Sequence, residues 1–367
     1  MNLEAWGWNE GWAGTFAPYA ADGFQPGRVV REDRQACAVQ LEEGCRSAEV
    51  TGRFRREVEC GAADWPVVGD WVAVDARAGH DRAGVAGVLP RRSRLARQAA
   101  GRAVREQVLA ANLDTVLLVC ALDEGRGFNL RRLERGLLLV QSSGAEVVVV
   151  LNKADLCGDV AARLREARSI SAKVPVIALS AREGWGLEDL HPWVSGCRTA
   201  VLLGPSGVGK SALTNALAGT EIQATQPVRE SDARGRHTTT RRELFRLPSG
   251  GLLIDTAGLR EFQPWHAGNG LEAIFPEIAE LAEGCRYRDC RHEREPGCAV
   301  QQALGEGSLE PERFEQYLRL EREQAYQALR REIGGRRAET LRWKGIAQMQ
   351  KGLRRADEGR GRGWNPA

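Results

Sequence analysis

The sequence predicts a multidomain chain: an N-terminal OB-like β-barrel, then a circularly permuted P-loop α/β domain, then a C-terminal helical zinc-binding domain. Three observations carry that expectation. Short alternating runs broken by Gly, Asp and Pro fill roughly the first hundred residues. Near-continuous β-branched runs then alternate with helical stretches, the pattern of a parallel sheet covered on both faces. A Cys/His cluster interrupts a mainly helical stretch after 270. The expected boundaries are 1–100 for the barrel with its leader, 101–269 for the P-loop domain, 270–335 for the zinc-binding domain and 336–367 for a basic tail.

Bulk properties narrow the class. The chain has 367 residues, enough for two or three domains at ~100–200 residues each. An apolar share of 43% supplies packed cores, which argues against wholesale disorder. No run reaches the ~18 apolar residues of a membrane span, and MNLEAWGWNEGW lacks a signal peptide's basic and apolar regions. Nine cysteines, six of them scattered singly, suit reduced thiols in a cytoplasmic protein rather than a disulfide framework. The net charge of +3 is unevenly placed: 336–367 carries nine Arg or Lys against three acids. Such a tail suits a polyanion, RNA first, or a merely solubilising role.

In the barrel region GRVVRE (27–32), ACAVQL (36–41), AEVTGRFR (48–55) and GDWVAVDA (69–76) read as strands. About five strands there suit an OB-like barrel, a common single-stranded nucleic-acid binder. The basic segment 90–106 reads as a linker or as a surface strip facing RNA phosphates. Beyond it, strands are expected at 115–120, 146–152, 174–180, 199–204 and 251–256, with helices at 129–141, 159–168 and 210–218. In 309–333, Phe314, Tyr317, Leu318, Tyr326 and Leu329 fall near helical spacing.

GPSGVGKS comprises Gly204, Pro205, Ser206, Gly207, Val208, Gly209, Lys210 and Ser211, and Ala212 follows. It lies between an apolar strand and a helix, the context that makes a phosphate loop credible. Glycines let backbone N–H groups converge on phosphate oxygens, and the helix adds its positive end. Lys210 is expected on the β- and γ-phosphates and Ser211 on Mg²⁺. DTAG ends the strand at 251–254, placing Asp255 near that Mg²⁺ and the Gly258 N–H near a γ-phosphate. NKAD ends another strand. An Asp155 carboxylate accepts from guanine's two adjacent donors, which adenine lacks. The Lys153 stem packs over the base, Asn152 ties the loop to the phosphate loop, and Ser180 and Ala181 of LSARE reach the guanine oxygen.

The order is rotated: NKAD and SAR precede the phosphate loop, and no second NKxD follows. Because all these motifs sit at strand ends of one sheet, permutation leaves them able to meet. The C-terminal domain then hangs directly on the γ-phosphate-sensing segment. Leu259 stands where a Ras-like protein has its water-orienting Gln. His237 in RGRHTTT is the expected substitute, with Thr239 or a neighbour among 238–240 completing the Mg²⁺ shell; otherwise His237 is a solvated loop histidine. Without a partner to order that loop, hydrolysis is expected to be slow.

Cys285, Cys290, His292 and Cys298 form C-x4-C-x-H-x5-C, a ligand set for one closed structural zinc. Arg286, Arg288, Arg291 and Arg294 interleave with them; these face RNA phosphates or pair locally with Asp289, Glu293 and Glu295.

Taken in order, GDWV, PRRSRLAR, NKAD, SAR, GPSGVGKS, GRHTTT, DTAGLR and CRYRDCRHEREPGCAV resemble the RsgA (YjeQ) family of circularly permuted GTPases over nearly the whole chain. The resemblance implies GTP and GDP as ligands, Mg²⁺ with the nucleotide and one structural Zn²⁺. It implies binding to the small ribosomal subunit and its rRNA, hydrolysis stimulated by that contact, and His237 as the catalytic histidine. A monomer in the cytoplasm without membrane contact is expected. Two other readings stand beside it: a nucleotide-gated RNA-binding factor in which hydrolysis is secondary, and, disfavoured by NKAD, a P-loop ATPase or kinase.

Overall fold

A computed structural model describes residues 2–33, 36–76, 82–98, 106–123, 128–141, 143–170, 173–222, 242–256, 270–293 and 295–333. These fall into two compact units. One lies within Met1–Arg97 and Val108–Phe275, the other within Gln98–Gln107 and Pro276–Ala367.

The first unit opens with a 3₁₀ turn, Leu3–Trp6, and helix α1, Glu10–Ala21. Asn2 and Asn9 cap them, each side-chain oxygen accepting a backbone N–H inside the first turn. Strands β1 (Gln25–Glu32), β2 (Cys37–Leu41) and β3 (Gly44–Val50) follow, then helix α2 (Gly52–Glu59), then β4 (Trp71–Asp75) and β5 (Ala83–Val88). The order β1–β2–β3–β5–β4 closes through β1–β4 pairing into a five-stranded barrel. Its interior is apolar, with Val29, Val39, Leu41, Val72, Val74 and Val85 buried. The expected third strand over 48–55 is thus split. Thr51 accepts the Phe54 N–H and caps α2, so GRFR is helical; it buries Phe54 and leaves its arginines outside.

The leader is part of the packing. Leu3, Trp12 and Phe16 bury against Trp71, Ala73 and Leu89, and the Trp8 ring meets Trp71 edge-on at 4.8 Å between centroids. Nor is the basic segment after the barrel a free strip. Arg91 forks onto buried Asp70 with two 2.8 Å bonds, and its guanidinium also reaches Asp64 at 2.9 Å. The Arg92 guanidinium lies 4.0 Å over the Trp12 ring. Packing has drawn Arg91 inward and given the exposed Arg92 a stacking partner, where both read as free outward-facing charges. The segment continues as β6 (Arg94–Gln98), which pairs with β7 (Glu106–Ala111).

The second half of this unit is an α/β sheet: β8 (Thr115–Ala121), α3 (Leu130–Gln141), β9 (Glu146–Asn152), α4 (Val160–Arg168), β10 (Val176–Ala178), β11 (Thr199–Leu203), α5 (Lys210–Ala218), β12 (Arg242–Arg246), β13 (Leu252–Thr256) and α6 (Gly270–Ile274). The order is β10–β9–β8–β11–β13–β12, parallel except for β12. Each expected strand is present, though only three residues of 174–180 pair as β10. Leu117, Val119, Val148, Val150, Leu202 and Leu253 fill its core.

The second unit holds α7 (Pro276–Glu283), α8 (Ala299–Glu306) and α9 (Pro311–Ile333). Ile278, Val300, Ala303, Leu309, Phe314 and Leu320 are its buried apolar residues. The stretch expected to be helical at 309–333 is α9. No described helix is long and apolar enough to cross a membrane.

Candidate nucleotide site and metal centre

In a parallel sheet every strand points the same way, so loops from distant sequence positions gather at the carboxyl edge. Asp123, Asn152–Asp155, Ser180–Ala181, Gly204–Ser211 and Asp255 all follow or end strands at that edge.

Asn152 joins three of these loops. It is buried, and its Nδ2 donates to the Val208 carbonyl at 2.9 Å and to that of Gly209 at 3.5 Å. Its Oδ1 accepts the Ala181 N–H at 3.0 Å. One side chain therefore holds the NKAD loop, the SAR loop and the phosphate loop together. Gly209 has φ +91°, and a Cβ there would stand 2.4 Å from Asn152 Nδ2, so conformation and space both require glycine.

Lys210 starts α5, its ammonium donating to the Gly204 and Pro205 carbonyls at 2.8 and 2.7 Å. Burial pulls its pKa down to about 8, and the Asp255 carboxylate partly offsets this. Asp255 is itself buried, at the end of β13. Ser180 is fully buried, its hydroxyl accepting the Glu183 N–H at 3.1 Å. Asp155, by contrast, is exposed, at the surface of a 3₁₀ turn, so its carboxylate is buried only if a base covers it. Lys153 adopts a left-handed φ of 61°, and its ammonium lies 2.5 Å from Asp123 Oδ2.

In the second unit the donor atoms of Cys285, Cys290, His292 and Cys298 all lie within 4.8 Å of one another. His292 Nδ1 is 3.4 Å from Cys298 Sγ and 3.6 Å from Cys285 Sγ, and those sulfurs are 3.9 Å apart. Ligands about 2.0–2.3 Å from a tetrahedral centre stand roughly 3.5–3.8 Å from one another, so the set fits one metal ion. Cys298 also caps α8 through Sγ, and Gln301 Nε2 donates to the His292 carbonyl at 2.5 Å. None of the nine cysteines is in a disulfide.

The RsgA GTPase family model matches residues 88–265. The small ribosomal subunit biogenesis GTPase RsgA of Opitutus terrae is 48% identical over 366 residues, spanning 97% of this chain and 99% of that protein. The chain belongs to the RsgA GTPase family. RsgA of Streptomyces coelicolor is 46% identical over 327 residues, covering 88% of this chain and 86% of its own. Among solved structures, YjeQ from Thermotoga maritima aligns with a TM-score of 0.60 at 26% identity, covering 82% of this chain and 99% of that one. YloQ, described as a circularly permuted GTPase, aligns at 0.58 and 26%, covering 82% and 95%.

For this RsgA-family chain, His237, Thr239, Leu259 and Gly258 lie outside the described residues, as do Arg294 and the basic tail. The other expected nucleotide residues share one sheet edge, and the four expected metal ligands share one cluster. Sequence reasoning missed Asp123, although its place just past the apolar β8 run was a usable signal. It also missed Arg28, buried in the barrel wall, which donates to the Asn112 carbonyl at 3.3 Å and to Thr199 Oγ1 at 2.8 Å. Thr199 begins the strand leading to the phosphate loop. An arginine in an alternating strand reads as outward-facing, so nothing in the pattern flagged it.

Proposed function

We propose that this chain hydrolyses GTP while bound to the small ribosomal subunit, coupling turnover to a late step of that subunit's assembly. The triple bond set of Asn152 carries the reading, because it ties the NKAD and SAR loops to the GPSGVGKS loop, as a shared site for base and phosphates requires. The names of the relatives, small ribosomal subunit biogenesis GTPases, support the partner. Asp155 accepts from the guanine N1–H and 2-amino group, while Ser180 and Ala181 approach the guanine oxygen. Backbone groups of Gly204 to Gly209, with Ala212 behind them, cradle the phosphates; Lys210 displaces its contacts to the loop carbonyls in favour of phosphate oxygens. Ser211, Asp255 and Thr239 hold Mg²⁺, which neutralises charge on the phosphates. Gly258 senses the γ-phosphate and His237 orients the attacking water.

One zinc ion sits on Cys285, Cys290, His292 and Cys298 as a structural brace. Arg286, Arg288 and Arg291 are exposed around it, and Glu295 spends its oxygens on the backbone N–H groups of Arg291 and Glu293. That favours RNA phosphates over local acids as their partners. The division of labour is a barrel at 1–100, a nucleotide domain at 101–269, a metal-braced domain at 270–335 and a tail at 336–367. The protein acts in the cytoplasm as a monomer.

Leu259 favours a second reading, a nucleotide-gated RNA-binding factor in which hydrolysis is secondary. GTP turnover with and without purified small subunits separates the two. The first requires strong stimulation; an unchanged rate leaves the second. His237→Ala is expected to lose stimulated turnover by about a hundredfold while keeping GDP affinity. ATP competing as well as GTP for the site would refute the guanine assignment.

A further inference from the structure

Lys153 is reached from three strand ends. Its backbone belongs to the loop after β9, in the left-handed region at φ 61°. Its Cε lies 3.9 Å from where a Gly209 Cβ would stand, so the stem runs along the phosphate loop. Its ammonium ends 2.5 Å from Asp123 Oδ2, just past β8. Both side chains keep about a quarter of their surface, 23% and 27%, so the pair sits at a rim and not in the core. A lysine stem is long and rotamer-rich, and orienting it costs conformational entropy. Anchoring both ends removes that freedom before any ligand arrives.

We propose that Asp123 is a positioning residue of the nucleotide site: it holds the Lys153 ammonium so that the aliphatic stem forms a preset wall against the guanine base. This rests on the assignment of the base to the NKAD loop. Asp123 acts through Lys153 and has no part in the chemical step. Its loss therefore weakens the nucleotide's ground state and transition state alike, raising KM and leaving kcat in place.

The test is a double-mutant cycle on the full chain with Asp123→Asn, Lys153→Met and the pair, reading Kd for GDP and GTP by calorimetry and kcat at saturating GTP. Asp123→Asn is expected to weaken both nucleotides about fivefold, with kcat within about twofold of wild type. The double variant is expected to bind no more weakly than Lys153→Met alone, and Asp123→Glu to recover most of the loss. Unchanged or tighter GDP binding by Asp123→Asn overturns the proposal, as do losses that multiply in the double variant. A wild-type GDP against ADP competition is run beside it. Equal affinity there refutes the guanine assignment itself, whereas strong GDP preference with a null cycle refutes only the role of Asp123. Far-UV circular dichroism and the melting temperature of each variant keep misfolding from being read as weakened binding.

Discussion

Lys210 faces opposing demands at the residue scale. Burial disfavours its charge, while two carbonyls and the Asp255 carboxylate favour it, and burial prevails, leaving a pKa of about 8. The unfolded lysine titrates near 10.5, so the unfolded chain binds more protons between pH 8 and 10.5. The stability penalty is therefore complete below pH 8 and is relieved as pH rises through that window. Nucleotide binding runs the other way, because phosphate oxygens need the ammonium. GDP affinity is expected to be flat below about pH 7 and to fall by up to about tenfold per unit above pH 8. Lys210→Met is expected to bind weakly with no such slope; calorimetry between pH 6.5 and 8.8 decides it. Asp123 and Arg28 belong to this scale as well. The position of Asp123 past β8 marked it as a candidate, but the partner of each, Lys153 and Thr199, lies more than twenty positions away, and no local pattern names it.

At the scale of elements, the loop joining α7 to α8 is largely exposed and carries the Cys/His cluster. Cys298 serves twice, as one of four side chains placed to hold a metal ion and as the cap of α8. Cys298→Ser separates the roles, since serine caps a helix well but is a poor zinc ligand. The variant, or wild type stripped by a strong chelator, is expected to lose one equivalent of zinc and the helical signal of this unit, because structural zinc contributes folding energy directly, on the order of 10 kcal/mol. Protein that purifies without zinc and melts identically with chelator would rule the brace out. α2 carries the opposite lesson. GRFR followed the alternation of a strand, yet Thr51 and the need to bury Phe54 made it a helix, because short runs satisfy both periods.

For the whole first unit, the decisive feature is that barrel and nucleotide sheet are continuous. β12 pairs with β1 at Glu243 and Arg31, and Arg242 reaches Glu32 at 2.9 Å, giving one eleven-stranded sheet. Arg28 adds a buried link to the strand before the phosphate loop. The barrel and the nucleotide sheet are therefore expected to unfold together. The leader tryptophans should report the same transition as the sheet's far-UV signal, and GDP at a hundred times its Kd should stabilise both by about 2.7 kcal/mol. Two separate transitions, with only the later one sensitive to GDP, would show that the junction is weak.

Much of this was legible from residues alone: the strands expected at 115–120, 146–152, 199–204 and 251–256, the strand–loop–helix at 199–218, the rotated order of the motifs and the clustering of Cys285, Cys290, His292 and Cys298. Those signals are local, since hydrophobic period, glycine at a turn and donor chemistry are properties of neighbouring residues. What tertiary structure decided is which charges gain fixed partners. Arg28, Arg91 and Arg92 look like surface residues in one dimension, and only the closing of the barrel, the folding back of the leader and the pairing of β12 with β1 give them buried or stacked partners. A guanidinium is buried only where distant acceptors converge on it, and no local pattern encodes that convergence.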